Sequence, residues 1–525
     1  MNYLLKGDIS GIQEFIFNVQ SKGAAKTLKI KSYYIEVISE LCYKFCIAKL
    51  QGEGCQIESI YSGGGNFFLK ITCPDGALEI VEGLQKQINN ELLNDDIAIV
   101  LTLEKLNDKS FGNSWIELLR KSNKEKLKRY KKNDTFFNPY NYEDKALENN
   151  NKRFKKIAEE YQHNDFYKSI LDIFVKSRAI ESLFLDEVFF KNVEDLKNSL
   201  ANKLPFWKDY SEKENYQVYR KENYAQDNQI KFGDNDDYLI DFDGFGDFAA
   251  HRTGTNKIAI LTMDVDDLGC VFRDKASSVE MAQKLSEDFK AFFNSQLLKI
   301  WNQEEYHANI YPVFVGGDDC FIVGAWDSVL HFTKAINDAF KNRFKKEGYT
   351  LSAGIVIVNP KHPVISFSRL AKDSLSNAKT RKTYSEVFKN EPHLKNSISV
   401  FNEVFSWKEY DKILELVNQI SPSIEEKGIK RSFLDKLRNS AKGFQALQNE
   451  ILTTNKLPFP KIWQLKYYIG RQISDVTQED IFSSYSEALK DALLKNEGTN
   501  PAIFPVAARL IELSTKSKLE YVSEY

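Results

Sequence analysis

Tyr311-Pro-Val-Phe-Val-Gly-Gly-Asp-Asp-Cys-Phe-Ile-Val-Gly324 is the stretch that decides the fold. Two apolar runs flank Gly316, Gly317, Asp318 and Asp319, the pattern of a β-hairpin whose tight turn carries two carboxylates. Glycine adopts positive backbone angles without steric cost, and the reading expects that conformation in this turn. A second apolar run, Ile258-Ala-Ile-Leu-Thr-Met-Asp-Val-Asp-Asp267, also ends in acids. Two acidic strand ends side by side make a site for hard divalent cations, which take oxygen ligands and grip triphosphate oxygens in nucleotidyl transfer. Asp264, Asp318 and Asp319 are the expected ligands. Asp266 and Asp267 are expected behind them or as helix caps. The competing reading is turn stabilisation, because aspartate side chains bond nearby backbone amides.

Working outward, residues 257–263 read as a strand, 277–301 as a helix and 310–323 as the hairpin. A helix over 329–344, a strand over 350–358 and a helix over 365–381 follow. The opening of the chain repeats this order. Strand 3–9 precedes a helix that Ser10 is placed to cap, then a longer helix over 28–50. A hairpin turns through Gly63-Gly64-Gly65-Asn66, a helix spans 75–94, and a strand spans 97–103. The order β-α-β-β-α-β is that of a ferredoxin-like split unit. The expected fold is therefore α+β. It has a first palm-like domain over 1–105 without a carboxylate site, and a second over 257–402 with one. Between them, 106–256 reads as a mainly helical insertion, with an acidic linker over 234–247. Residues 403–525 read as a C-terminal helical bundle.

Composition bounds the rest. The 525 residues exceed one hydrophobic core. A net charge of −2 excludes a general polycation, leaving only local patches such as the basic run 120–132 for contact with RNA phosphates. No apolar run is long enough to span a bilayer, and no signal-peptide pattern opens the chain. The six cysteines are scattered, which suits a reduced, cytoplasmic compartment.

At this point the sequence resembles the large polymerase/cyclase subunit of type III CRISPR effector complexes. The resemblance rests on Gly7-Asp8-Ile9-Ser10-Gly11-Ile12-Gln13-Glu14-Phe15-Ile16-Phe17 followed by Ser21-Lys22-Gly23, and on Tyr61-Ser-Gly-Gly-Gly-Asn66. It rests equally on Met263-Asp-Val-Asp-Asp-Leu-Gly269 and Val315-Gly-Gly-Asp-Asp-Cys320. It implies two ATP molecules held between the palms, Mg²⁺ or Mn²⁺ on the aspartates, and cyclic oligoadenylate made when the assembled complex binds target RNA. Some relatives join AMP to S-adenosylmethionine instead. By the same resemblance, Gly63, Gly64, Asn66, Gly316 and Gly317 would let backbone approach nucleotide. Gly7, Asp8 and Ser10 would line that crevice, or Asp8 would cap a helix. Lys379 would neutralise phosphate charge. The other subunits of the complex, guide RNA and target RNA are the implied partners.

Two departures shape the expectation. There is no His-Asp dipeptide, so no nuclease activity of the His-Asp type is expected. No cysteine lies in 106–256, so no structural zinc is expected there. Two other readings stay open: a stand-alone diguanylate-type signalling cyclase, and a catalytically silent scaffold subunit.

Overall fold

The computed structural model describes residues 1–19, 24–74, 76–91, 93, 97–107, 110–128, 200–212, 240–383, 386, 392–425, 431–440, 500 and 502–516. The first sheet holds β1 (Asn2–Ser10), β2 (Gln56–Gly63), β3 (Asn66–Thr72) and β4 (Ala98–Lys105), in the order β2-β3-β1-β4. Helices α1 (Ile12–Phe17) and α2 (Ala24–Gly52) join β1 to β2, and α3 (Ala77–Glu91) joins β3 to β4. Helix α4 (Phe111–Lys128) then packs back on β4 and β1. Central β1 is antiparallel to both neighbours, and Leu4 to Ile9 are buried, as a strand covered on both faces requires.

After α5 (Phe242–Thr253) the pattern returns. Strands β5 (Ile258–Val265), β6 (Ile310–Val315), β7 (Asp319–Ala325) and β8 (Leu351–Val358) take the order β6-β7-β5-β8, matching the first sheet strand for strand. Helices α6 (Leu268–Lys275) and α7 (Val279–Ala291) lie between β5 and β6. Helix α8 (Trp326–Arg343) lies between β7 and β8, and α9 (Val364–Thr380) packs on β8 and β5 as α4 does on β4 and β1. The expected helix over 277–301 is continuous but passes through a π-helical turn, Phe292–Gln296. The α+β class with two ferredoxin-like palms is what the structure shows.

Four local expectations are corrected. The acidic linker extends into α5: Asp241 accepts from Gly244 N–H at 2.9 Å, and Phe242, Phe245, Phe248 and Ala249 bury one face. That capping and helical spacing outweigh Gly244 and Gly246; residues 234–239 lie outside the described residues. Next, 403–406 is not helical. β10 (Glu403–Ser406) pairs with β9 (Ser397–Val400), which runs parallel to β8, so the second sheet has six strands. Helices α10 (Trp407–Glu425) and α11 (Ser432–Ser440) follow and pack on α12 (Ile503–Ser514). Third, Ser10 does not cap α1. Gly11 stands at the cap with φ 86°, and the Ser10 hydroxyl donates to Ala98 C=O at 3.1 Å. Last, Cys55 and Cys73, at the open ends of β2 and β3, form a disulfide that scattered spacing concealed. Residues 441–499 of the expected C-terminal bundle, and Ser21-Lys22-Gly23, lie outside the described residues.

Buried polar groups fasten the palms together. Lys29 of α2 donates to the carbonyls of Ala201 and Pro312, and the Tyr311 hydroxyl donates to Ala25 C=O at 2.6 Å. The C-terminal helices are anchored likewise: Trp407 donates to Leu351 C=O at 3.0 Å and Tyr410 to Leu330 C=O at 2.9 Å.

Candidate active site

The two glycine-containing turns meet. Gly64, with φ 60°, lies so close that a Cβ there would sit 3.7 Å from both Gly316 Cα and Gly317 N. Positive φ angles occur at Gly64 and Gly65, not at Gly316 or Gly317, against the expectation for the second turn. Glycine is required at 316 and 317 by close approach instead. A Cβ at 316 would fall 2.5 Å from Asp319 Oδ1, and one at 317 would fall 1.9 Å from the Tyr61 hydroxyl. The Gly316 N–H closes the turn by donating to Asp319 C=O at 2.7 Å.

Asp264 and Asp319 face each other in register across β5 and β7. Asp319 lines a cleft of about 710 Å³ whose walls come from α1, α2 and the 59–65 hairpin of the first palm and from α7 and Gly316–Gly317 of the second. That volume is within the range of small-molecule sites. Asp318 points into a different, smaller cavity beside Lys6 and Asn66. Burial, then the neighbouring Asp318 carboxylate, pushes Asp319 up to about 8, and burial also raises Asp318. Adjacent acids in such a place resist ionising together.

Lys379 contacts Asp264. Burial and then Lys395 press the Lys379 amine down to about 8, but the touching carboxylate favours the ammonium, and at contact distance that attraction prevails. Asp266 and Asp267 are structural. Asp266 accepts from Thr350 and Ser352 hydroxyls at 2.8 and 2.7 Å and from Asn396 N–H at 2.9 Å, while Asp267 pairs with Lys395 at 2.5 Å. Neither caps α6 with its side chain: Asp267, at the cap, makes no such bond.

The first palm also differs from expectation. Asp8 neither caps a helix nor opens to the large cleft. It is buried and accepts from Lys6 and Lys126, each at 2.6 Å. The Asn66 amide nitrogen, turned towards it, donates at 3.1 and 3.2 Å. Asp8 opposes Asn66 across β1 and β3 as Asp264 opposes Asp319 across β5 and β7. Lys126, near the end of α4, holds the place of Lys379 near the end of α9. The first palm thus keeps one carboxylate at the homologous strand tip, paired with two lysines. Gly7 serves packing, since a Cβ there would strike the Phe67 ring at 2.1 Å. Gly63 and Gly64 do line the large cleft.

Sequence reasoning missed four residues. Tyr61 wedges between the turns, its phenol pushed to higher pKa by burial and by Asp318 and Asp319. Lys290 places its ammonium 4.9 Å from the Tyr61 ring and lines the large cleft. Lys6 and Lys126 hold Asp8; Lys6 and Asp8, two apart on a strand, share a face, a signal that was available. Within the basic run, Arg120, Lys121 and Lys126 pair with Glu117, Glu104 and Asp8, so a good part of it is consumed by internal contacts; 129–132 lie outside the described residues.

The donor chemistry suits a hard divalent cation: oxygen-only ligands, two in register, next to a carboxylate pair that is strained without one. Among the described residues no group of three or more His, Cys, Asp or Glu is gathered at ligating distance. Lys379 engages Asp264 and Asp318 turns aside, so Asp264 and Asp319 would hold the cation first.

A family model for Cas10/Cmr2, second palm domain, matches residues 257–388, and one for Csm1 subunit domain B matches 1–142. A CRISPR system single-strand-specific deoxyribonuclease Cas10/Csm1 (subtype III-A) of Methanocaldococcus jannaschii is 29% identical over 478 residues, 77% of this chain and 59% of that protein. Its counterpart in Enterococcus italicus is 23% identical over 83% of this chain and 60% of its own length. The chain therefore spans about three-fifths of these relatives. Among solved structures, an apo Csm1–Csm4 cassette aligns with TM-score 0.60 at 17% identity, covering 98% of this chain and 70% of that one. A cassette in complex with cA4 aligns at TM-score 0.58 and 16% identity, covering 98% and 70%. Fold and site define a twin-palm protein whose glycine turns meet over an acidic strand tip. Both palms of the chain are similar to the corresponding domains of the Cas10/Csm1 family.

Proposed function

We propose that this chain is the nucleotidyltransferase of a type III CRISPR effector, active in the cytoplasm. It would act with the other subunits, guide RNA and target RNA, making cyclic oligoadenylate, or an AMP conjugate of an acceptor such as S-adenosylmethionine, from ATP. One observation carries this reading: the first palm's Gly63–Gly65 turn seats on Gly316–Gly317, so one cleft of about 710 Å³ borders both palms and Asp319. Bound Mg²⁺ or Mn²⁺ would supply Lewis acidity and screen triphosphate charge. Asp264 and Asp319 would hold that cation. Lys379, half-buried beside Asp264, is placed to neutralise phosphate charge. The lack of side chains at 63–64 and 316–317 lets the two turns close on each other, which is what brings both palms to the wall of one cleft. Holding a 3′-hydroxyl opposite an α-phosphate in this fixed frame lowers the entropic barrier of the in-line reaction.

The test incubates the complex, carrying guide RNA and matched target RNA, with ATP and Mn²⁺ and resolves products by chromatography. Adenylate products that disappear with Asp318→Ala/Asp319→Ala support the reading. Products from GTP without target RNA point to a signalling cyclase. Absence of any product points to a scaffold, a reading that the occupied Asp264 and the diverging Asp318 favour.

A further inference from the structure

Lys29 is a charged group at a place where packing alone calls for hydrocarbon. It is 1% exposed, and burial presses its amine down to about 7, with Glu36 opposing the fall. A cation so placed is costly unless it is bonded. Its bonds run to two separate parts of the chain, Pro312 C=O of β6 and Ala201 C=O, and its ammonium lies 4.8 Å from the Tyr311 ring.

The strand it grips is irregular at that point. β6 is the edge of the six-stranded sheet, and its pairing with β7 shifts register between Pro312 and Phe314. Proline suits an edge or a bulge because it brings no N–H to the ladder, and a bulge re-aims the residues beyond it. Those residues are Phe314, Val315, Gly316 and Gly317, which line the large cleft and lead into the acidic turn. Lys29 thus holds β6 where its course is set, roughly 13 Å of strand before Gly316. On its other side stands the 3₁₀ turn Leu200–Asn202, whose three residues are buried and which packs on β6. The Asn202 amide donates to the Glu36 carboxylate at 2.7 Å, a second tie from that turn to α2.

We propose that Lys29 is a positioning residue for nucleotidyl transfer: one ammonium joins the 200–202 turn to the bulge of β6, so the seating of that turn sets where the Gly316–Asp319 turn stands. The assignment rests on the reading of the acidic turn as the transfer site. Lys29 lines neither the large cleft nor the smaller cavity, so it acts through the backbone it holds. Methionine at 29 would fill the same space while leaving both carbonyls without their donor, which separates packing from registration.

Steady-state kinetics and hydrogen exchange of the complex, carrying guide RNA and matched target RNA, test this with Lys29→Met and Asn202→Ala. Lys29→Met is expected to lower kcat about ten- to a hundredfold. It should leave KM for ATP within about twofold, because no binding contact is removed. Exchange should quicken at amides 200–203 and 313–320 together. Asn202→Ala loosens the turn without altering β6, and is expected to quicken exchange at both segments and to lower kcat by a smaller factor. Unchanged kcat in Lys29→Met overturns the proposal, as does a rise in KM at constant kcat. So does exchange in Asn202→Ala confined to 200–203, which would show that turn and strand move independently. Should Lys29→Met fail to fold, Asn202→Ala decides alone. If the wild-type complex makes no product while exchange in Asn202→Ala still spreads to 313–320, the reaction assignment fails and the bridge stands. Product made by wild type, with exchange confined to 200–203, sinks the bridge alone.

Discussion

In the first palm, Asp8 sits among Lys6, Lys126 and the Asn66 amide; in the second, its strand equivalent Asp264 faces Asp319 beside Asp318, with Lys379 the partnering cation. The skeleton is the same and the charge is inverted. One tip is satisfied from within the protein. The other gathers three carboxylates against Lys379 among the described residues, and burial and mutual repulsion favour a proton on Asp319 up to about pH 8, a proton that a divalent cation could replace. The same strand order occurs twice, with one tip neutralised by lysines and the other rich in carboxylates.

The strongest way to break this comparison is to remove acids at both tips. Asp319→Ala or Asp264→Asn is expected to cut nucleotidyl transfer on the order of 10²–10³-fold with little loss of thermal stability, read by product chromatography and calorimetry. Asp8→Ala should do the reverse. It strands two partly buried lysines and is expected to cost about 3–5 kcal/mol in denaturant unfolding. Equal effects at Asp8 and Asp264 would mean that the palms are not functionally divided.

The contact between the palms gives a sharper test. Gly317→Ala pushes a methyl into the Tyr61 hydroxyl and should depress turnover by an order of magnitude or more. Adding Tyr61→Phe should restore part of that loss. A double variant no better than the single one would show that Tyr61 is not what enforces glycine there.

The disulfide lies in the first palm, closing a separation of 18 residues. Its removal by Cys55→Ser should cost about 3 kcal/mol under oxidising conditions and nothing in reductant. The smallest effect is pH-dependent. The folded pKa of Asp319, pushed to about 8 from 3.8, lies above its unfolded value, so the neutral carboxyl favours the fold at low pH and that stability is lost as pH rises from about 4 to 8. Mn²⁺ replaces the proton, so the rise in melting temperature on adding Mn²⁺ should be larger at pH 8 than at pH 6. In Asp319→Asn that difference should shrink.

The doubled fold was legible because strand alternation and helical spacing are local signals, and they recur in the same order from Tyr3 and from Lys257. The acidic turn was legible for the same reason. What escaped reading depends on partners distant in the chain. Nothing near Gly317 announces that Tyr61 occupies the space of its missing side chain, and nothing near Asp8 announces Lys126. β10 was misread because its four residues run straight into the amphipathic α10, and only β9 makes them a strand. Successive side chains at a strand end diverge, and Asp319 lines the large cleft while Asp318 lines the smaller one, a divergence that the sequence does not display.

The phenol of Tyr61 resting against bare backbone at Gly317 acts as a mechanical stop. The approach of the two turns is gauged there by one oxygen against one main chain, alongside the Lys29 and Tyr311 bonds that also join the palms.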